Sequence, residues 1–522
     1  MSETRPLWRR LLRWAAFTLA LLGVLVLSGL LLADHLTPQA RGARSTVLPL
    51  QPAQTRIDRE LRALQAGHPG QSGVAFLSEG LDAFAARSVI TERAGRSLDL
   101  QYYIWHDDLI GHLMARALHD AAERGVRVRI LLDDMNAQDK DALMMALDTH
   151  PNIEIRLYNP FRNRSGLWRL LEMVQRVFSV NHRMHNKSWI ADGRVAIVGG
   201  RNIGEEYFSA RPDVNFRDLD LLVAGPAVGE ANRIFDDFWN SDAAVPIAAL
   251  AYPTRAQLRL LMRESAHRAT IDAAAPYLRE VAASRQRAQA SAAPLHWSRN
   301  VRIVSDPPMK HRRDDRHDWL VTGLAHRLQA SRHKALLISP YFVPGDDGLR
   351  ALVALRRRGV QVGAVTNSLA ANDVVAVHGG YMGYRVPLLQ AGVQLYELKA
   401  HGKASSSGLF GSSGASLHTK AFVLDDRHGF VGSFNLDPRS AYVNTEMGVV
   451  FDDPVLAAQL TGEYLRLAAP EQSWWLALDG RDQVRWLDRE VPPSWILAEP
   501  DSSLSLRATA RVIGWLPLQS QL

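Results

Sequence analysis

The chain carries the same short residue pattern twice, and the two copies lie 233 residues apart. A histidine, a lysine, an aspartate and an asparagine recur with identical spacing: His185, Lys187, Asp192, Asn202 and His418, Lys420, Asp425, Asn435. Lysine is scarce, with seven in 522 residues, so a lysine at both matching positions argues against coincidence. A repeat of this period indicates two complete domains of related fold rather than a solenoid of small units.

The residues that precede each copy read as strand, helix and strand. Ser97 to Trp105 is strand-like, an amphipathic helix follows over about 109–124, and Arg124-Gly125 leads into an apolar strand that ends at Leu132. The second half repeats this order from Ala335, with Arg358-Gly359 before its second strand. A helix that glycine ends before a buried strand is typical of a βαβ unit.

We therefore predict an α/β protein with two domains, at 71–250 and 301–470, each a mixed β-sheet flanked by helices. The two domains are expected to be related by a pseudo-twofold axis. The remaining segments are predicted as an N-terminal membrane anchor or signal peptide (1–34), a linker (35–70), a helical connector (251–300) and a C-terminal extension (471–522). The Gly/Ser-rich stretch 403–416 is predicted to be a loop.

The N-terminal segment has the features of a membrane anchor. Ala15 to Ala33 contains 19 residues without a charge and follows the arginines at 5, 9, 10 and 13. A helix of this length measures about 28 Å, close to the hydrocarbon thickness of a bilayer. The basic flank should stay cytoplasmic, which puts the body on the far side. The alternative is a cleaved signal peptide, but its apolar region is usually shorter, ~7–15 residues; we favour the anchor.

Composition excludes several kinds of chemistry. The chain has no cysteine, which excludes disulfides, thiolate zinc sites, iron–sulfur ligation and thiol catalysis. The net charge of +7, from 61 basic and 54 acidic residues, is modest for this length and does not by itself indicate nucleic-acid binding.

The spacing of the repeated residues suggests a phosphate site. Residues i and i+2 of a strand share one face, so His185 and Lys187 should project together, as should His418 and Lys420. If the two domains meet about a twofold axis, both pairs converge on one pocket that also receives Asn202 and Asn435. Such a cationic, donor-rich pocket suits a phosphodiester and the charge that develops on it.

The acidic residues near the motifs call for a separate interpretation. A carboxylate beside a phosphate would repel it, so we expect Asp192 and Asp425 to be structural, for instance by capping the turn after the strand. Asp218 and Glu446 follow the two motifs at similar places and could each orient an imidazole, with Asp220 as the competitor of Asp218.

This arrangement resembles the phospholipase D superfamily, whose hallmark is a duplicated HKD motif. The resemblance implies that the catalytic set is His185, Lys187, Asp192, His418, Lys420 and Asp425, and that Lys187, Lys420, Asn202 and Asn435 bind the phosphate. It also implies a two-step mechanism through a phosphohistidine, without metal or cofactor. By analogy His185 is the nucleophile and His418 the acid and base, although the sequence alone does not fix that order.

Further stretches resemble one branch, the bacterial cardiolipin synthases, the C type in particular. They include LQYYIW at 100–105, NHRMHNKS at 181–188, TNSLAAND at 366–373 and GSFNLDPRS at 432–440. The resemblance implies phosphatidyl transfer that makes cardiolipin from phosphatidylglycerol and a second phospholipid, phosphatidylethanolamine among the candidates. It also implies a bacterial inner membrane location with the body on the periplasmic side.

Two other functions stay open at this stage. A phospholipase D-type phosphodiesterase would use water on phospholipid or, less in keeping with the modest charge and the anchor, on nucleic acid; a non-catalytic scaffold would not need two intact motifs. Exposed tryptophans and arginines around Trp168-Arg169 or Trp474-Trp475 could seat the body on lipid headgroups, or could equally be buried aromatics.

Overall fold

Two β-sheets, one in each half of the chain, form the framework of the protein. The computed structural model describes residues 40–135, 141–161, 181–211, 215–250, 275–291, 295–313, 315–400 and 416–515, residues 260 and 263, and scattered positions between 14 and 29. All statements below concern these residues.

The first half contributes ten strands and six helices to the described part of the chain. The strands are β1 (Ser72–Leu77), β2 (Ser97–Tyr102), β3 (Arg127–Asp133), β4 (Ile153–Tyr158), β5 (Ser188–Ala191), β6 (Val195–Gly199), β7 (Phe216–Arg217), β8 (Asp220–Ala224), β9 (Ala244–Pro246) and β10 (His296–Ser298). The helices are α1 (Arg56–Gln65), α2 (Gly80–Arg93), α3 (Leu109–Glu123), α4 (Asp141–Asp148), α5 (Val228–Trp239) and α6 (Ala275–Ser291). The strand order in the sheet is β10-β1-β8-β6-β5-β2-β3-β4-β9.

The second half has its own sheet, which continues to the C-terminal region. Its strands are β11 (Val301–Ser305), β12 (Lys334–Ile338), β13 (Gln361–Asn367), β14 (Gln394–Leu398), β15 (Ser416–Leu417), β16 (Lys420–Leu424), β17 (His428–Gly432), β18 (Met447–Asp452), β19 (Ser473–Leu478), β20 (Val484–Asp488) and β21 (Ser494–Ile496). The helices are α7 (Leu320–Ala330), α8 (Gly345–Arg357), α9 (Val375–Gln390), α10 (Pro438–Tyr442), α11 (Pro454–Leu467) and α12 (Leu504–Gly514). The order is β11-β18-β17-β16-β12-β13-β14-β19-β20-β21.

The two sheets repeat one topology. In each half three strands run parallel, β2-β3-β4 and β12-β13-β14, and antiparallel strands continue the sheet on both sides. Gly125 and Gly359 end helices α3 and α8 with φ angles of 88° and 84°, a left-handed conformation that glycine adopts without steric cost. The predicted α/β class, with a mixed sheet and helices in each half, is confirmed.

The inner faces of the two sheets share one hydrophobic core. This core joins Val198 and Leu221 of the first half to Val431 and Val449 of the second, and it includes apolar residues of α5 and α11. A separate core lies on the outer face of each sheet, under the remaining helices. Burial of apolar side chains between the sheets therefore fixes how the two halves meet.

The predicted linker is packed against the first half from residue 40 onwards. Helix α1 begins with a capping box of Thr55 and Asp58, and it buries Ile57 and Leu61. Before it, Val47 donates its backbone N–H to Asp236 of α5 (2.8 Å). The segment thus differs from a free linker because it has apolar side chains to bury and a helix start signal of its own.

The predicted C-terminal extension forms regular structure on the second half. Strands β19, β20 and β21 widen the second sheet, and α12 packs against α9. Trp474, one of the candidates for a lipid contact, is only 7% exposed and packs under the ammonium of Lys399. It is therefore a core residue and not a membrane-facing one.

Several predictions concern residues outside the described ranges. The proposed anchor at 15–33 is described only at scattered positions, while Trp168-Arg169, most of 251–274 and nearly all of the predicted loop 403–416 lie outside. Among the described residues, no helix combines the length and apolar character needed to cross a bilayer.

Candidate active site

Two backbone pairings between the halves position the two motif histidines. Strands β7 and β15 pair in parallel, and His418 donates its backbone N–H to the carbonyl of Arg217 (2.8 Å). On the other side Met184 pairs with Thr445, and His185 donates its N–H to the carbonyl of Thr445 (2.9 Å). Each histidine therefore lies beside a segment of the opposite half.

Each histidine is oriented by a carboxylate from the opposite half. His185 Nδ1 lies 2.8 Å from Oε2 of Glu446, and His418 Nδ1 lies 2.6 Å from Oδ2 of Asp218. A carboxylate can only accept, so Nδ1 carries the proton in both rings and Nε2 keeps its lone pair. The sequence pointed to these two carboxylates, but it did not indicate that they cross between the halves.

Asp220, the competitor of Asp218, has a different place. It is fully buried in the first half and forms an ion pair with Arg87 (2.9 Å). It also accepts the backbone N–H of Arg201 (3.2 Å). These bonds tie β8 to α2 and to the loop after β6, so Asp220 is a structural residue.

The environment of the two carboxylates holds them in place. Ser433 Oγ donates to Oε2 of Glu446 (2.5 Å), and the backbone N–H of Glu446 donates to Asp306 (2.9 Å). Burial raises the pKa of Glu446 to about 7, with Lys187 opposing the shift. Burial also raises the pKa of Asp218, with Lys420 as the main opposing charge.

The two lysines are buried directly behind the histidines. Lys187 Nζ donates to the carbonyl of His185 (2.7 Å), and Lys420 Nζ donates to the carbonyl of His418 (2.5 Å). Both side chains are almost fully buried, and this burial lowers the pKa of Lys187 to about 7 and that of Lys420 to about 8. A phosphate beside them would favour their charged forms.

The electrostatic environment keeps both imidazoles neutral in the free protein. Burial, followed by the charges of the two lysines, lowers the pKa of His185 and of His418 well below the usual value. A neutral imidazole with a free Nε2 can attack an electrophile or accept a proton, whereas an imidazolium cannot.

The histidines open into one cavity of about 340 Å³. Both halves line it, with His185, Asn202 and Tyr207 from the first and His418, Asn435 and Arg439 from the second. The amide of Asn202 is held by Tyr207 (2.9 Å) and by the N–H of Ile104 (3.1 Å). The buried Oδ1 of Asn435 has no hydrogen-bond partner among the described residues. The structure thus brings the four motif histidines and asparagines to one cavity, with the lysines behind it.

The motif aspartates do not reach this cavity. Asp192 lies at the far end of β5 and accepts backbone N–H groups of Gly95, Arg96 and Ser97. Asp425 lies at the far end of β16 and accepts those of residues 332–334. Counting these two residues among the catalytic groups is therefore corrected: each caps the loop before the neighbouring strand, as the repulsion argument predicts.

Sequence analysis missed several cavity residues as candidates. Tyr103 packs its ring edge-on to His185 (4.9 Å between centroids), and Tyr341 donates to Asp373 (2.9 Å). Arg439 lines the second half of the cavity and is anchored by Asn181 (2.8 Å). A signal was present, since Tyr103 and Tyr341 follow matching strands at the spacing of 238 that also relates Leu157 to Leu395.

Comparison with known proteins assigns the family. Residues 90–239 and 324–468, more than half of the chain, match the family described as "Cardiolipin synthase, PLD-like domain". The chain belongs to this phospholipase D-like family. Its resemblance to the superfamily and to cardiolipin synthases is thereby confirmed.

Relatives in this family cover nearly the whole chain. Cardiolipin synthase C of Escherichia coli (strain K12) is 40% identical over 474 residues, which span 89% of this chain and 99% of that protein. Cardiolipin synthase of Geobacillus kaustophilus (strain HTA426) is 27% identical over 77% of this chain and 67% of that protein. The solved phosphatidylserine synthase of Haemophilus influenzae Rd KW20 shares the fold, with a TM-score of 0.54 at 13% identity over 80% of this chain and 91% of that one.

Proposed function

We propose that this protein is a membrane-associated phosphatidyltransferase that makes cardiolipin from phosphatidylglycerol and a second phospholipid. The observation that carries the proposal is the cavity in which two histidines, each held by a carboxylate of the opposite half, face the same space in front of two lysines. The 40% identity to cardiolipin synthase C of Escherichia coli supports the choice of substrates.

The proposed reaction has two balanced steps. First, Nε2 of His185 attacks phosphorus; a P–N bond forms, the P–O bond to the headgroup breaks, and protonated His418 gives its proton to the leaving alcohol. Second, the now neutral His418 removes the proton from a glycerol hydroxyl of phosphatidylglycerol. That oxygen attacks phosphorus, the P–N bond breaks, and both imidazoles return to their starting states.

The surrounding residues support each part of this reaction. The carboxylates of Glu446 and Asp218 stabilise the positive charge that each ring acquires in turn, since they accept from its Nδ1. Lys187 and Lys420, with the amides of the two asparagines, would stabilise the charge on the non-bridging phosphate oxygens. Neither step requires a metal or a cofactor.

Transfer instead of hydrolysis requires a lipid alcohol to reach the intermediate before water does. The two histidines are only 8% and 7% exposed. Apolar side chains at 104, 374 and 377 line the same cavity. A site of this character favours an amphiphilic acceptor over bulk water.

The proposed location is the bacterial inner membrane, with the body on the periplasmic side. The described positions of the N-terminal segment support an anchor, since Trp14, Phe17 and Leu25 expose 69%, 62% and 61% of their surface. Exposed large apolar residues in such a row require a covering, and lipid would provide it.

Product analysis tests the function directly. Full-length protein is incubated with vesicles of phosphatidylglycerol, with and without phosphatidylethanolamine, and the lipids are separated. We expect cardiolipin from the unmodified protein and from His317→Ala, an exposed control, and none from His185→Ala or His418→Ala. Phosphatidic acid as the sole product would replace the proposal with a hydrolase, and unchanged lipid would overturn both.

A trapping experiment tests the order of the two histidines. A phosphatidyl ester of p-nitrophenol needs no acid for its leaving group, so His418→Ala should form the phosphoenzyme and accumulate it. We expect mass spectrometry to find the phosphatidyl group on His185. An adduct on His418 in His185→Ala, with none on His185 in the other variant, would reverse the assignment.

A further inference from the structure

An apolar cavity of about 430 Å³ lies in the second half next to the catalytic cavity. Helices α7, α8 and α10 and strands β12 and β16 surround it. Its inner lining is almost entirely apolar and includes Leu324, Leu328, Leu337, Ala351, Phe422 and Phe434. Polar side chains occur at its mouth, where Asp346, Asp347 and Arg350 are exposed to solvent.

The two cavities share a wall. Tyr341 faces the catalytic cavity while Phe342 faces the apolar one, and Asn435 and Phe434 divide in the same way. Helix α10 has one face toward each: its residues 439 and 440 line the catalytic cavity, and residues 438, 441 and 442 line the apolar one. Asp437, which caps this helix, borders both.

The position and chemistry of this cavity suit one part of an amphiphile. Its volume is within the range of pockets that hold small ligands, and its lining offers apolar contact without convergent hydrogen-bonding groups. No residue lining it alone takes part in the proposed transfer steps. A ligand with a phosphate in one cavity and a hydrocarbon chain in the other would match both linings.

We propose that the apolar cavity binds one acyl chain of the phospholipid whose phosphate occupies the catalytic cavity. The proposal rests on the function proposed above and adds a recognition site to it. An acyl chain that enters this cavity leaves water, so each additional methylene should strengthen binding of a water-dispersed lipid by up to about fourfold.

A chain-length series with a matched pair of variants tests the site. Phosphatidylglycerols with acyl chains of four to eight carbons are used below the concentration at which they aggregate, and KM is measured for each. Ala351→Phe fills the cavity, whereas Ala354→Phe places the same side chain on the exposed face of the same helix. We expect KM to fall with chain length in the unmodified enzyme and in Ala354→Phe, and to become nearly independent of it in Ala351→Phe.

The outcomes separate this proposal from the proposed function. If the unmodified enzyme makes cardiolipin but Ala351→Phe keeps the full chain-length dependence, the acyl site is refuted and the function stands. If no lipid is converted by any protein, the function itself fails.

A second measurement does not depend on the filled variant folding. Phosphatidylglycerol with a diazirine at the end of one acyl chain is bound to the unmodified full-length protein and irradiated. We expect cross-links on α7, on α8 or at Phe422. Cross-links confined to other parts of the protein would overturn the proposal.

Discussion

At the scale of single residues, two opposing influences determine the state of each motif histidine. Burial and the two lysines lower its pKa, which keeps the ring neutral and nucleophilic. The carboxylate on Nδ1 works in the other direction once the ring gains a bond or a proton. A ring in this position can alternate between neutral and charged forms within one catalytic cycle.

Removing the charge of either carboxylate should therefore slow turnover more than it weakens binding. In Glu446→Gln and Asp218→Asn, the amide can still accept from Nδ1 but carries no charge to stabilise an imidazolium. We expect kcat to fall about 10²–10⁴-fold with KM nearly unchanged. Asp220→Asn, two residues from Asp218 and away from both rings, is the control: it should lower the melting temperature and leave kcat of the folded enzyme nearly unchanged. A loss confined to KM would contradict the orienting role.

The buried lysines predict a pH dependence of the free enzyme. The pKa values of Lys187 and Lys420 are lowered to about 7 and about 8, so a rise in pH through this range removes the positive charges that bind phosphate. We expect kcat/KM, measured at constant ionic strength, to fall as the pH rises from 7 to 9. A profile that stays flat over this range would contradict the assignment.

The same shift has a stability consequence of opposite sign. Between pH 7 and 10.5 the unfolded chain binds a proton at Lys187 that the folded chain does not, so the stability rises with pH in this window. Lys187→Met should raise the free energy of unfolding by about 2–4 kcal/mol at pH 6, and by less at pH 9, while abolishing activity. Lys334→Met, on a partly exposed lysine, should change neither activity nor stability much.

At the scale of secondary-structure elements, the aspartates of the repeat act where a loop meets a strand. Asp192 and Asp425 have φ angles of 53° and 52°, and each accepts three successive backbone N–H groups from the segment that begins β2 or β12. This role explains why the aspartates repeat with the motif although neither contacts the cavity.

Replacing these aspartates should therefore affect stability and not chemistry. Asn tolerates the left-handed backbone but accepts fewer hydrogen bonds, so Asp192→Asn should lower the free energy of unfolding by about 1–3 kcal/mol. Asp425→Asn should cost less because Asp425 is partly exposed. Both are checked by denaturant unfolding beside kcat at low temperature, where a large fall in kcat with unchanged stability would contradict the capping role.

Elements that depend on local pattern could be predicted from the sequence, and elements that depend on distant partners could not. Helix α3 was predicted at about 109–124 and spans Leu109–Glu123, because its apolar spacing and its terminal glycine are local signals. Strand β19 pairs with β14, about 80 residues away, so the tryptophans around 474 gave no indication of their place in the second sheet. Helix α1 was missed although its capping box is visible in the sequence.

At the scale of the whole molecule, the site is built by exchange between the halves. Equal spacing of the motifs led to the prediction that both histidines reach one cavity, since related domains present equivalent residues to a shared interface. The crossed carboxylates were not predictable in this way. Asp218 and Glu446 are 228 residues apart instead of 233, so the repeat does not align them, and their partners follow only from the tertiary pairing of β7 with β15 and of Met184 with Thr445.

This exchange takes place within one chain, which predicts that two inactive variants cannot restore each other. His185→Ala and His418→Ala, each full length, are co-expressed in one membrane and assayed for cardiolipin. Every chain lacks one of the two imidazoles of its own cavity, so we expect no more activity than the two variants give separately. Unmodified protein co-expressed with the double variant should give activity in proportion to the unmodified chain. Recovery of about a quarter of full activity would instead mean that halves swap between chains, since half of randomly formed dimers would be mixed and each would hold one complete site of two.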